Sequence, residues 1–250
     1  LDKRILGAYR FLRRCYADPS VSVEDTRLFI VGFSRGAYAA RRLSGLIAHS
    51  GIPRSARDVD RGWEMYLNRD TASAAAMKEQ DRYIDVPIEM LGVWDTVKAT
   101  NDSDYNDDQL SPNVKAGYHA MAVDERRRFF PVLRWRAEKR VREMWFSGSH
   151  SDVGGGCLQA DLSDVALLWM IHQGARHGLS FKKSYMERYV NPKVPGHVHD
   201  MFTAMWKPYG RSDRPITDTC PVHESVEKQM REQADYAPEN LPSRPNFVSG

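Results

Sequence analysis

The strongest feature of the hydrophobic pattern is a change of period within residues 27–46, RLFIVGFSRGAYAARRLSGL. Leu28, Phe29, Ile30 and Val31 form a short unbroken apolar run, the pattern of a strand buried on both faces. A strand of that kind needs helices on both sides, so the run predicts a layered α/β arrangement. Beyond it, Ala37, Ala39 and Ala40 fall in an amphipathic stretch whose small side chains let a helix pack close to the sheet. Upstream, Ile5, Leu6, Tyr9, Phe11 and Leu12 recur at helical spacing between arginines, and Asp18-Pro19-Ser20 ends that helix. Downstream, Val86 to Val97 and Val141 to Ser149 predict two more buried strands. The stretch from Asp60 to Gln80 reads as covering helices, and Tyr118 to Phe130 as a further helix. Leu162 to His177 reads as a deeply buried helix opened by Ser163 and closed by Gly178. Residues 184–221 mix prolines, aromatics and glycines without period, as a cap or lid segment would, and residues 237–250 read as a loose polar tail. The expected organisation is a single domain over residues 1–250 with a mostly parallel sheet flanked by helices, lacking N-terminal strands, and with an irregular C-terminal cap.

Composition changes this picture little. The 250 residues are 42% hydrophobic, enough for one sizeable core. Lysine plus arginine at 36 against 33 acidic residues leaves a net charge of +3, which does not call for nucleic acid. Cys15, Cys157 and Cys220 are odd in number and widely spaced, so they outline neither a disulfide framework nor a paired-cysteine zinc site. No run of about 18 apolar residues occurs, and the first residues lack the apolar core of a signal peptide. The expectation is a soluble chain made in the cytoplasm, with neither a signal peptide nor a transmembrane helix.

The candidate chemistry lies where the apolar runs end. Gly32-Phe33-Ser34-Arg35-Gly36 has the G-x-S-x-G form of a nucleophile elbow, where Gly32 and Gly36 supply the small residues that a sharp strand-to-helix turn demands. The helix that follows brings backbone N–H groups and a positive dipole end beside the serine, so the Arg35 N–H is the candidate oxyanion donor. Asp95 stands at the end of the second strand and His150 at the end of the third, giving the Ser34, Asp95, His150 order of a hydrolase triad. Asp152 is a secondary candidate that could orient His150 or cap the next helix. His223 is the runner-up histidine, although it precedes a helix where a capping role suffices. Asp102, Asp104 and Asn106 alternate like a calcium loop, but Asp107 replaces the required glycine and Asn113 the required glutamate, so no specific calcium site is expected. Arg126 to Arg142 interleaves cations with Phe129, Phe130 and Trp135, a pattern that suits either transient contact with anionic headgroups or a solvated face. No metal or cofactor is expected.

GFSRGAYAAR, LGVWDTV, AVDERRRFF, WFSGSHSDVGGG, LSDVALLWM and VHESV, in this order, resemble the uncharacterised α/β-hydrolase domain family that includes type VI secretion phospholipase effectors. The resemblance spans most of the chain. It implies an α/β-hydrolase that cleaves esters, in effector members those of membrane phospholipids, with serine, aspartate and histidine at Ser34, Asp95 and His150, and it implies delivery out of the cell for effector members. Members usually open with a strand ending in Asp-Gly-Thr, which this sequence does not contain, so the expected second oxyanion donor is not visible. The expectation is association through an open sheet edge, or a missing N-terminal segment. The competing reading is a catalytically incomplete remnant that serves as a binding module.

Overall fold

The computed structural model describes residues 1–18, 20–98 and 108–250. Asp102, Asp104 and Asn106, with their calcium-loop alternation, lie outside the described residues. Helix α1 (Asp2–Tyr16) turns Ile5, Tyr9 and Leu12 inward at helical spacing, each such burial contributing about 1.5–3 kcal/mol. Strand β1 (Leu28–Phe33) leads directly into α2 (Arg35–Ser50). Next come β2 (Ile52–Pro53), α3 (Val59–Leu67), α4 (Thr71–Glu79) and β3 (Tyr83–Ile84), with β2 and β3 making a small antiparallel pair. Then follow β4 (Ile88–Trp94), β5 (Gly117–Ala122), β6 (Val141–Phe146), α5 (His150–Gly154), α6 (Asp161–Arg176) and α7 (Lys183–Tyr189). Strand β7 (Pro221–His223), α8 (Glu224–Glu232) and β8 (Asn246–Val248) close the chain.

The main sheet has six strands in the order β1-β4-β5-β6-β7-β8, all paired in parallel. Alternation along β4 explains the two layers. Leu91 and Val93 join α1, α2 and α3 in one core cluster, while Met90 packs with Val165, Ala166, Trp169 and Met170 of α6 in another. With both faces covered, strands of this sheet need few polar residues. Because every strand is parallel, every strand's C-terminal end points to the same edge of the sheet, the edge at which parallel α/β folds place their sites.

Three expectations are corrected. Residues 118–122, read as the start of a helix, belong to strand β5 (Gly117–Ala122), every residue of which is buried. Alanine, methionine and histidine carry little strand preference, but β4 and β6 supply ladder partners on both sides, and tertiary pairing overrides local propensity. The terminal stretch is not a loose tail throughout, since Val222 pairs with Phe247, which packs against the Met121 and Trp145 cluster. Helix α6 begins at Asp161 with Ala160 in the cap position, and the Ser163 hydroxyl donates to the Ala160 carbonyl at 3.0 Å instead of capping. Between α7 and β7 the chain has no regular element except a 3-10 turn at Lys207–Tyr209.

Candidate active site

Strand β1 delivers Ser34 at the sheet's C-terminal edge, where φ of 59° and ψ of −125° place it in a region that non-glycine residues rarely occupy. Its N–H donates to the Trp94 carbonyl at 3.0 Å, which ties the elbow to the end of β4. A Cβ on Gly32 would lie 2.5 Å from the Gly36 carbonyl oxygen, so the turn closes only over a hydrogen. Around Gly36 a Cβ would meet nothing within 4 Å, so its small size answers no steric demand of the elbow. Arg35 is the first residue of α2; its side chain is exposed, and its N–H belongs to the helix's first turn, where such groups have no intrahelical acceptor.

Asp95 follows β4 with a φ of 41°, and its N–H donates to the Ala120 carbonyl at 2.8 Å. His150 is the first residue of α5, whose start is fixed by reciprocal bonds between Ser149 and Asp152. The result is a continuous chain of contacts. His150 Nδ1 lies 2.6 Å from Asp95 Oδ2, and His150 Nε2 lies 2.8 Å from Ser34 Oγ. The carboxylate at Nδ1 selects the tautomer that leaves Nε2 as an acceptor toward the serine hydroxyl. Phe33 and Phe130 flank the imidazole with ring centroids 4.5 and 5.1 Å away.

Further partners surround this chain. Asp95 is fully buried, and its carboxylate takes both terminal nitrogens of Arg214, at 2.5 and 2.9 Å, and the Ala122 N–H at 2.9 Å. Burial alone would raise the Asp95 pKa, but the Arg214 charge and the hydrogen bonds from His150 and Arg214 outweigh it and hold the carboxyl well below the usual range. Buried Glu125 accepts the His150 N–H at 3.3 Å and clasps Arg127 through both oxygens, at 2.8 and 2.6 Å. The Arg127 guanidinium in turn sits 3.6 Å from the Phe130 ring centroid. Sequence reasoning misses Arg214 and Glu125. Glu125 carries a faint signal as the second of two acids before three arginines; Arg214 carries none, because an arginine in the loop-like run Ser212-Asp213-Arg214-Pro215 reads as surface.

The other candidates lie elsewhere. Asp152 caps α5, and its Oδ1 also lies 2.6 Å from His199 Nδ1. His223 caps α8 through Ser225 and stacks on Phe146 at 4.8 Å. Asp152, Cys157 and His199 bring metal-ligand atom types within 4.8 Å of one another, yet Asp152 already accepts from the Ser149 N–H, the Ser149 hydroxyl and the His199 N–H. A cleft of about 500 Å³, lined by Val31, Phe33, Trp94, Val153 and Leu167 among others, lies beside Phe33.

A parallel sheet covered on both faces, with a strained serine turn at its C-terminal edge, defines an α/β-hydrolase-like fold. The family model "T6SS, Phospholipase effector Tle1-like, catalytic domain" matches residues 1–173, and the chain belongs to that family. Among curated proteins it is 29% identical over 150 residues to the uncharacterized protein YEL023C of Saccharomyces cerevisiae, which covers 53% of this chain and 21% of that protein. An uncharacterized protein from Pseudomonas aeruginosa of solved structure is similar at 21% identity and a TM-score of 0.43, over 76% of this chain and 28% of its own. The structure of the Tle1 effector bound to the VgrG spike of the type 6 secretion system is similar at 23% identity and a TM-score of 0.30, over 53% of this chain and 25% of that one. The chain thus spans between about a fifth and about three tenths of the length of these relatives. Among the described residues no helix is long and apolar enough to cross a membrane.

Proposed function

We propose that this chain hydrolyses carboxylic esters, lipid or phospholipid acyl esters in particular, with Ser34 as nucleophile, His150 as general base and Asp95 as the group that orients it. The observation that carries the reading is the unbroken contact chain from Ser34 Oγ through His150 to Asp95, at 2.8 and 2.6 Å. His150 Nε2 takes the hydroxyl proton as Ser34 attacks the carbonyl carbon. The oxyanion forms beside the start of α2, where the Arg35 N–H donates to it. His150 then gives the proton to the leaving alcohol, and water, activated by the same imidazole, releases the acyl group.

Family membership supports a lipid substrate, and so do the surroundings of the site. The apolar cleft beside Phe33 suits an acyl chain. Phe130, in contact with His150, also packs on Trp206, and Trp206 packs on Tyr209. Met205, Phe129 and Tyr209 are 72, 60 and 54% exposed, so an apolar rim that could meet a lipid surface adjoins the base. Delivery out of the producing cell follows from the same family reading, with target-cell lipid as substrate.

The test is hydrolysis of a short-chain p-nitrophenyl ester and of phospholipid vesicles by the intact chain and by Ser34→Ala. Ser34→Ala and His150→Ala are each expected to lower kcat by about 1000-fold or more, since these groups act as a unit. Asp95→Asn should keep the geometry and lose the tautomer preference, with a smaller fall than Ser34→Ala. A folded Ser34→Ala protein, judged by circular dichroism, that turns over ester at the parent rate would remove the assignment and leave the binding-module reading.

A further inference from the structure

We infer that Arg214 is a positioning residue of the site, holding the Asp95 carboxylate ionised and in the plane that meets His150 Nδ1. The inference rests on the hydrolase reading above, but the contacts that motivate it do not depend on any substrate. Arg214 is 4% exposed and reaches Asp95 from the irregular segment between α7 and β7, across 119 residues of sequence. One terminal nitrogen donates to Asp95 Oδ1 at 2.5 Å and to the Ala122 carbonyl at 2.9 Å. The other donates to Asp95 Oδ2 at 2.9 Å and to the Phe130 carbonyl at 2.9 Å. The fork therefore grips both carboxylate oxygens while its own position is set by the carbonyl at the end of β5 and that of Phe130 in the loop beyond it. A bidentate guanidinium fixes a carboxylate plane in a way that a point charge does not.

Asp95 needs such a partner because it is fully buried, and a buried carboxylate without a countercharge takes up a proton instead of staying ionised. Protonated, it could not hold the imidazole in the tautomer the serine requires. Among the described residues, the other charged or titratable groups near it do not supply the countercharge. His150 is the group being oriented. His119 of β5, whose Nε2 accepts the Thr96 N–H at 3.1 Å, is held below the ordinary histidine range, chiefly by burial, and is uncharged near neutrality. The Arg127 charge is taken up by Glu125. Arg214 is thus the cation in direct contact with Asp95. Its charge also offsets part of the attraction between Asp95 and the imidazolium formed in the reaction, so its contribution is orientation and ionisation and not stabilisation of that imidazolium. Arg214 lies beyond residue 173, the last position matched by the family model, so the segment after α7 contributes to the site itself.

The test compares Arg214→Met and Arg214→Lys with the parent by the pH profile of kcat/KM, by KM, and by the low-field proton resonance of the imidazole N–H shared with Asp95. The resonance is recorded in the inactive Ser34→Ala background, so it does not need turnover. Arg214→Met should lower kcat by about 100-fold or more at neutral pH, with KM changed by less than about threefold. With the countercharge gone, Asp95 binds its proton at higher pH, so the acid limb of the profile should move up. Arg214→Lys keeps the charge but not the fork; its acid limb should stay near the parent position while kcat falls to an intermediate value. In an Asp95→Asn background, where there is no carboxylate left to hold, Arg214→Met should cost less than about threefold further. Arg214→Met activity loss that adds in full to that of Asp95→Asn, with an unmoved acid limb and an unchanged low-field resonance, would reduce Arg214 to a structural tie. If Arg214→Met does not fold, the Arg214→Lys profile and resonance decide the matter alone: a fully active Lys variant with the parent resonance overturns the inference. A parent protein without esterase activity would instead sink the hydrolase reading and leave the resonance comparison as the judge of this one.

Discussion

An alanine at Gly32 and an alanine at Gly36 are the same chemical change two residues either side of Ser34, yet they should have opposite effects. The added Cβ at Gly32 meets the Gly36 carbonyl oxygen at 2.5 Å, its carbon at 2.7 Å and the Ala37 Cα at 2.9 Å, all backbone atoms that no side-chain rotation can clear. Relief requires the turn to open, which carries Ser34 away from His150. Gly32→Ala should destabilise the fold by about 1–3 kcal/mol and lower ester turnover along with it. Gly36→Ala meets open space within α2, where alanine is the better helix former, and should stabilise by about 0.5–1 kcal/mol. Denaturant midpoints and esterase rates on both variants check the pair; equal losses at the two positions would contradict this account. Spacing alone cannot separate these glycines, because it shows which positions flank the serine and not which backbone atoms come back to face them. For the same reason Arg214 cannot be read from the sequence: it stands in the loop-like run Ser212-Asp213-Arg214-Pro215, and its burial is created by the chain that folds around it. The candidates Ser34, Asp95 and His150 can be picked out because Ser34 and Asp95 directly follow apolar runs and His150 stands four residues beyond one, and the carboxyl ends of parallel strands gather at one edge whatever the chain does between them.

At the scale of elements the same logic separates what is legible from what is not. Strand β1 carries a continuous apolar run, and β4 and β6 become apolar after Glu89 and after Arg142-Glu143, so all three can be read directly. Strands β7 and β8 are three residues each, too short to show any period, and exist because β6 and then β7 offer a free ladder. Strand β1 ends the sheet order, and among the described residues no strand pairs with its outer side; Val31 on it is 58% exposed. The apolar groove beside this edge is lined by Ile5, Phe11, Leu28, Val31 and Leu43 among others. An unprotected parallel edge flanked by apolar surface invites pairing. The chain should therefore show concentration-dependent mass by light scattering, and Val31→Lys, which places a charge at the edge, should shift it toward the monomer. Mass that stays monomeric at every concentration, or association untouched by Val31→Lys, would show that the edge is protected in another way.

For the molecule as a whole, the separation of the site's parts along the chain has a kinetic consequence. The contacts that assemble the site close loops of 116 residues between Ser34 and His150, 55 between Asp95 and His150, and 119 between Asp95 and Arg214. The packing of α1 on α2 and of α2 on β1, by contrast, joins near neighbours in sequence. Local contacts are reached early in folding, and those that close long loops late, because the entropy of closure must be overcome before they are rewarded. On dilution from denaturant, helical circular dichroism should therefore return before ester hydrolysis does. The serine turn would exist for a time as a strained strand-to-helix junction without His150 beside it, and His150 without a settled Asp95 carboxylate. Activity that reappears in step with the helical signal would mean that the C-terminal segment docks before the sheet is complete. A nascent chain whose segment around Arg214 has not yet emerged should accordingly be folded in part and inert, so the order of synthesis itself delays completion of the proposed site inside the cell that makes it.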